Sequence, residues 1–384
     1  MREDWEYKTF GEIGTFLRGK NIQKADFVSG GLPCIHYGQI HTKFDISVDY
    51  HLSEIPQKVY DKAIIASPGD VIIAITSEDI DGSCKSVVWL GNYDIAVSAH
   101  AAILKHNMNG KFIAYYLRSN TFFTQKLKYA RGFKVMEIKT KDLAKLVLPI
   151  PPKPTQLSIV SELDKINELI QIKKEQLKDY DALAQSIFYE MFGDPVEEGW
   201  DVKELGDICK TSSGGTPSKA HTEYYNGEIM WLRSGEVSQG DIYNTEQTIT
   251  LLGLENSSAK IFPVNTVVIA MYGATVGQVG ILRKEMSTNQ AICGIFPNGD
   301  LTPEYLYYFL ISKKAEFLKS AIGGAQANIS QQIIRKTLIP LPPLSLQSSF
   351  TCKIRQIKLQ KAAVQSTITD LETLLAARMQ YWFD

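Results

Sequence analysis

The strongest constraint on this chain is a seam of apolar residues that occurs twice. In the first half Ile159, Leu163, Ile166, Ile170, Leu177, Tyr180, Ala184, Ile187 and Met191 step by threes and fours, interrupted by Lys173. In the second half Phe350, Ile354, Ile357, Val364, Ile368, Leu371, Leu375 and Trp382 keep the same spacing, with Lys361 and Arg378 as exceptions, and the two sets superpose at one offset of 191 residues. Such spacing puts side chains on one face of an α-helix, so each stretch is expected to form a long helix. A stripe that repeats every 3.5 residues needs a partner helix to cover it, and the other copy in the same chain is the obvious one. At about 1.5 Å per residue, thirty-odd residues span roughly 50 Å. Heptads do not fix the orientation of the pair. An antiparallel pairing would set the two globular segments at opposite ends about a pseudo-two-fold axis; the competing arrangement docks each helix separately on its own domain.

The globular segments repeat as well. Trp5, Lys8, Gly11 and Ile13 align with Trp200, Lys203, Gly206 and Ile208 at an offset of 195, as does Pro68 with Pro263. The apolar runs Val71-Ile72-Ile73-Ala74 and Val267-Val268-Ile269-Ala270 stand next to turn residues and read as buried strands. Tyr115-Tyr116-Leu117 matches Tyr308-Phe309-Leu310 at 193, and Leu148-Pro149-Ile150-Pro151-Pro152 matches Ile339-Pro340-Leu341-Pro342-Pro343 at 191, followed by Gln156 and Gln347. The drifting offset marks insertions between diverged copies. Proline is tolerated before a first helical turn, so the proline runs read as links into the long helices. The chain is thus expected to be α/β (α+β) in class, with globular domains at 1–150 and 195–341 and long helices at 151–194 and 342–384.

Apolar and charged fractions of 44% and 22% are those of an ordinary globular protein. No run of about 18 apolar residues exists, and Glu3, Asp4 and Glu6 behind Met1 are unlike a signal peptide, so a cytoplasmic protein with no membrane partner is expected. Cys34, Cys84, Cys209, Cys293 and Cys352 are scattered and never take the Cys-x-x-Cys spacing of a zinc or redox site. A formal net charge of −1 argues against coating by nucleic acid through bulk attraction. Locally the balance differs: between Lys105 and Lys145 ten basic residues stand against only Glu137 and Asp142. A weaker run, Lys313, Lys314, Lys319, Arg335 and Lys336 against Glu316, recurs at the equivalent place in the second half.

Reactive constellations are scarce. Gly14 to Lys20 has the glycine and lysine spacing of a phosphate loop, but Asn21 stands where the magnesium-binding Ser or Thr is needed, and the stretch after Ile208 lacks the pattern. The Pro-Pro pairs lack the flanking residues of an amino-methyltransferase tetrapeptide. The six histidines show no metal spacing, and five of them lie in the first half, so no histidine mechanism could be shared by both copies. Catalysis by this chain alone is not expected. What remains fits binding: Gly132-Phe133-Lys134 and Gly323 to Ser330 are polar, glycine-containing loops ahead of the last strand of each module.

Several motifs carry a resemblance. They are Ser213-Gly-Gly-Thr-Pro-Ser218, Glu223-Tyr-Tyr-Asn-Gly-Glu228 running on to Trp231-Leu-Arg233-Ser-Gly-Glu236, Tyr272-Gly-Ala-Thr-Val-Gly-Gln-Val-Gly280, Thr288-Asn-Gln-Ala291, Gly323-Gly-Ala-Gln326 and Met191-Phe-Gly-Asp-Pro195. Over its full length the chain resembles the specificity subunits of Type I restriction-modification enzymes. The first half departs from the pattern, with Gly69-Asp70 and Glu78-Asp79-Ile80-Asp81-Gly82 in place of the Tyr-Gly-Ala loop.

The resemblance implies two target-recognition domains with curved β-sheets, joined by two long helices in an intramolecular antiparallel coiled coil. Each domain would read one half of a split site in double-stranded DNA. The helices would set the gap, which for half-sites on one face is about one turn, roughly 34 to 36 Å, and would dock two methyltransferase subunits. S-adenosylmethionine, ATP and Mg would be used by partner subunits and none by this chain; restriction subunits are a further partner class. A free-standing DNA-modifying enzyme and a coiled-coil scaffold without a DNA role are the alternatives. By residue type in polar loops, Lys20, Lys85, Arg131, Lys134, Arg233, Lys260 and Lys284 are candidates for phosphate contacts. Asn21, Gln39, Gln278, Asn289, Gln290, Gln326 and Asn328 are candidates for base readout.

Overall fold

The computed structural model describes residues 5–132, 135–193, 198–320 and 328–384, with the backbone alone at 238 and 239. The chain divides into two units, Met1–Lys174 with Ser366–Asp384, and Glu175–Gln365. Unit one holds a five-stranded sheet in the order Gly14–Arg18, Ala101–His106, Val71–Ala74, Ser86–Trp89, Ser47–Val48, and a four-stranded sheet in the order Ser53–Ile55, Leu32–Ile35, Ile95–Val97, Ile64–Ala66. Unit two repeats both orders. Its five strands are Lys210–Ser213, Ile292–Phe296, Val267–Ala270, Val279–Leu282 and Gly240–Ile242, and its four are Gln247–Ile249, Tyr225–Leu232, Met286–Thr288 and Ile261–Phe262. Even the parallel pairs coincide, one at the edge of each large sheet and one in the middle of each small sheet. A two-stranded ladder closes each unit, with Lys8 opposite Leu148 in one and Lys203 opposite Ile339 in the other.

The apolar runs sit where side chains are buried on both faces, which is why they lack alternation. Val71 and Ile73 pack with Phe112, Tyr116 and the long helices, while Ile72 and Ala74 pack with Ile35, Trp89 and Val97. Val267 and Ile269 against Val268 and Ala270 divide in the same way in unit two.

Two helices of 40 residues, Lys153–Phe192 and Leu344–Phe383, each begin in one unit and end in the other. In unit one Trp382 Nε1 donates to Glu162 at 3.1 Å, Arg378 pairs with the same carboxylate, and Lys174 Nζ meets Glu372 at 2.8 Å. Residues early in the first helix therefore face residues late in the second. In unit two Lys361 pairs with Asp181, and Phe192 and Phe188 pack on Phe350, so late faces early. Both arrangements are antiparallel. Two breaks in the apolar seam, Arg378 and Lys361, are thereby explained as cross-helix ion pairs. Leu163, Ile166, Ile170, Ile354, Ile357, Val364 and Ile368 are buried, and Leu177, Tyr180, Ile187, Leu371 and Leu375 are half-buried.

Equivalent side chains lock each unit to its helices. Gln156 is buried, donates to Pro151 O and accepts from Asn109 N; buried Gln347 donates to Pro342 O and accepts from Thr302 N. Asn109 and Thr302 are the N-caps of the helices Gly110–Tyr116 and Pro303–Ser312. Asn167 donates to Asp45 at 2.6 Å, and Lys358, at the matching position of the second helix, donates to Asp241 at 2.5 Å. Phe383 lies 5.5 Å from Phe112, and Phe192 lies 4.8 Å from Tyr305, ring centre to ring centre.

Candidate nucleic-acid interface

In unit two the strand Tyr225–Leu232 is followed by Arg233, whose backbone N–H is accepted by Glu236 at 3.2 Å as the 3-10 helix Ser234–Gln239 starts. Beside it the loop after Lys210–Ser213 crosses at close quarters. A Cβ at Gly214 would meet Thr288 Oγ1 at 2.1 Å, and one at Gly215 would meet Ala259 N at 2.2 Å, so the Gly-Gly pair is demanded by packing. Trp231 Nε1 donates to Gly215 O at 3.0 Å and Tyr225 Oη to Pro217 O, fixing this loop over two aromatic rings. The result is an open groove of about 500 Å³ lined by Thr216, Lys219, Thr222, Tyr225, Asn226, Trp231, Arg233, Gln247, Thr248, Asn289 and Gln290. Its walls are polar and aromatic, which suits base edges and ring faces.

Three of the sequence-predicted residues, Arg233, Asn289 and Gln290, meet here. Asn289 accepts from Ala291 N, and exposed Gln290 accepts from Thr216 Oγ1. Lys260 stands apart, bonded to Ser212 Oγ at 3.1 Å, and Lys284 is exposed near Asn244. Exposed Asn328 pairs with Tyr272 beside the Tyr-Gly-Ala turn, and Gln278 is half-buried after that turn. Lys134 and Gln326 lie outside the described residues.

Unit one has a counterpart built on the same backbone contacts. Lys20 N donates to Val97 O as Gly215 N does to Thr288 O, and Ser98 N donates to Ile35 O as Asn289 N does to Leu232 O. A Cβ at Gly19 would meet Ser98 O at 2.1 Å, so the glycine of the apparent phosphate loop serves this crossing. The side chains differ. His36 occupies the place of Arg233 and Gln39 that of Glu236, with the same backbone bond from His36 N to Gln39 Oε1. Gln39 also donates to Ser53 Oγ at 2.7 Å, so both ends of its amide are engaged inside the unit. The His36 ring is 4.6 Å from Tyr37, and Tyr37 is 5.1 Å from His100. Burial holds the His36 pKa below its ordinary value, with Lys24 and His100 acting in the same sense. Lys20 and Asn21 are exposed beside this cluster. Lys85 donates to His41 O at 2.8 Å, and burial, with Arg118 close by, lowers its pKa. Arg131 is exposed and its backbone pairs with Glu137.

The Tyr-Gly-Ala turn also has its equivalent. Ala74 N bonds Lys85 O and Cys84 N bonds Ala74 O, as Ala270 N bonds Gln278 O and Gly277 N bonds Ala270 O. Cys84 holds φ 66° where Gly277 holds φ 75°. The acidic stretch Glu78 to Gly82 fills this turn in unit one, whereas Gly69-Asp70 belongs to another turn, matched by Asn265 with φ 69°.

Comparison with known proteins decides the family. A family model described as Type I restriction modification DNA specificity domain matches residues 2–179 and again 197–354. The chain belongs to this family. The family's relatives include the Type I restriction enzyme MjaIX specificity subunit of Methanocaldococcus jannaschii, 31% identical over 38% of this chain and 35% of that one. The EcoR124I/EcoR124II specificity subunit of Escherichia coli is 26% identical over 62% and 60%, and the EcoKI specificity subunit of E. coli strain K12 is 22% identical over 93% and 82%. The chain thus spans between 35% and 60% of the first two relatives it matches. Among solved structures, a chain from a study of complex assembly and conformational transition of the type I R-M system matches with TM-score 0.64 at 19% identity, covering 99% of this chain and 97% of that one. The Type-I restriction-modification S subunit from M. genitalium matches with TM-score 0.53 at 13% identity, covering 99% and 96%. These two likenesses establish the fold: two related mixed units joined by paired long helices. Among the described residues no helix is long and apolar enough to cross a membrane.

Sequence reasoning did not find Trp231, Glu236, Glu246, His36, Tyr37 or His100 as members of these sites. Arg233-x-x-Glu236 and His36-x-x-Gln39 share a spacing and align at an offset of 197, so a finer alignment of the repeat could have paired them.

Proposed function

We propose that the chain is the DNA-specificity subunit of a Type I restriction-modification complex, each unit reading one half of a bipartite double-stranded target. The observation that carries this reading is one backbone frame, used twice, with different polar and aromatic side chains at equivalent groove positions. A frame kept constant while its groove changes is what two dissimilar half-sites require. The long helices fix the interval between the half-sites and dock two methyltransferase subunits, and restriction subunits join the same assembly. S-adenosylmethionine, ATP and Mg are bound by those partners, the chain itself being a non-catalytic cytoplasmic component. Partner subunits also supply phosphate contacts, which reconciles DNA binding with a net charge of −1.

Mapping methylated bases in the host genome, with the chain deleted and then restored, tests the proposal. A methylated motif of two dissimilar parts at a fixed gap should vanish and return. A genome whose methylation is indifferent to the chain would refute it, and methyl transfer by the purified chain alone would favour the free-standing enzyme.

A further inference from the structure

Resting on the DNA-reading role just given, we propose that Arg233 recognises the O6/N7 edge of a guanine in the half-site read by unit two. Glu236 is its positioning residue, and Glu246 is the carboxylate that holds the guanidinium until the base replaces it. Arg233 directly follows a strand and lines the groove together with Trp231, Asn289 and Gln290. Its backbone N–H and its Nε both point at Glu236 Oε1, at 3.2 and 3.5 Å. Glu236 is only 5% exposed, and its second oxygen accepts from Glu246 N at 2.8 Å. Burying a carboxylate is costly unless its partners are fixed, so this one holds the guanidinium plane in a set orientation.

A phosphate contact needs little beyond charge, whereas a guanine edge needs donors aimed at O6 and N7, which a guanidinium fork held in one plane supplies. The outward Nη2 pairs with Glu246, which is 66% exposed. An ion pair so open to water is weak and exchangeable. It offers the guanidinium carboxylate acceptors, as guanine offers O6 and N7, and its charge repels a bare phosphate backbone. In unit one the matching residues are His36 and Gln39, so the device serves one half-site only.

The experiment uses the chain assembled with its methyltransferase subunits and duplexes carrying the mapped target. Each guanine of unit two's half-site is replaced in turn by 7-deazaguanine, which removes the N7 acceptor. One position should weaken binding by roughly three- to tenfold, the loss of one of the two bonds of a bidentate base contact. Arg233→Ala removes every donor and should abolish that sensitivity while changing binding to other sequences by no more than a few-fold. Glu236→Gln turns an amide N–H against one of the two backbone N–H groups that the carboxylate accepts, and should blunt the sensitivity when binding is read at a temperature where the variant assembly is still folded. Glu246→Gln should tighten binding to unrelated duplex and steepen its salt dependence by about one phosphate contact. Full discrimination at every guanine in Arg233→Ala, or no guanine whose N7 matters, overturns the proposal. If Asn289→Ala or Gln290→Ala relaxes the half-site while the Arg233 variants do not, this proposal fails and the DNA-reading role stands. If the intact assembly prefers no duplex over any other, the role itself fails.

Discussion

The two units share strand order, ladder register and helix locks, yet at equivalent groove positions one carries His36, Gln39 and Ser98 and the other Arg233, Glu236 and Asn289. The difference separates what holds the frame from what the frame presents. Backbone contacts that hold the frame join equivalent positions in both units, and the side chains they present differ in chemistry. The unit-one site gathers His36, Tyr37 and His100 with exposed Lys20 beside them, whereas the unit-two groove carries the exposed Arg233–Glu246 ion pair.

If the frames are equivalent, damage to matching frame residues must be equally severe. Phe192→Ala and Phe383→Ala each remove a ring buried among aromatic neighbours and should each lose about 3 to 5 kcal/mol by denaturant unfolding. A large loss in one and a small loss in the other would break the equivalence. Gln156→Ala and Gln347→Ala leave the N–H groups of Asn109 and Thr302 without their acceptor and should cost about 1 to 3 kcal/mol each.

The grooves should part under acid. Burial lowers the pKa of His36, and likewise of His106 in the same unit, below the ordinary 6.5. The unfolded chain therefore takes up protons first, so this contribution to stability is present above about pH 6.5 and is lost as pH falls below it. Amide exchange should show Leu32–Ile35 and Ala101–His106 losing protection between pH 7.5 and 5.5 more than Tyr225–Leu232 and Ile292–Phe296, after correction for intrinsic rates. Equal losses would remove the histidines as the cause. The smallest effect belongs to Lys361→Ala, whose partner Asp181 is 69% exposed; by the same unfolding assay it should change stability by about 0 to 1 kcal/mol.

The helices, the duplication and the two doubly buried strands were legible in the sequence because periodicity and proline report directly on burial and on helix starts. The seam even marked Arg378 and Lys361 as exceptions, though only the structure supplied Glu162 and Asp181 as the reason. The grooves were legible in part. Arg233, Asn289 and Gln290 stood out by residue type, but Glu236 and Trp231 act through contacts with residues distant in sequence, Glu246 and Gly215. Gln39, in the helix Tyr37–Thr42, and Lys85, in a loop, show the converse: polar residues whose hydrogen bonds turn inward, to Ser53 and to His41. Residue type alone cannot tell a polar group facing solvent from one satisfying a neighbouring strand.

The central claim is that one frame holds two independent readers. Methylation maps from two variants of the full assembly, Asn21→Ala in unit one and Gln290→Ala in unit two, test it most directly. Each variant should relax a different half of the methylated motif and leave the other half and the gap unchanged. Relaxation of the same half by both, or of both halves by either, would contradict it.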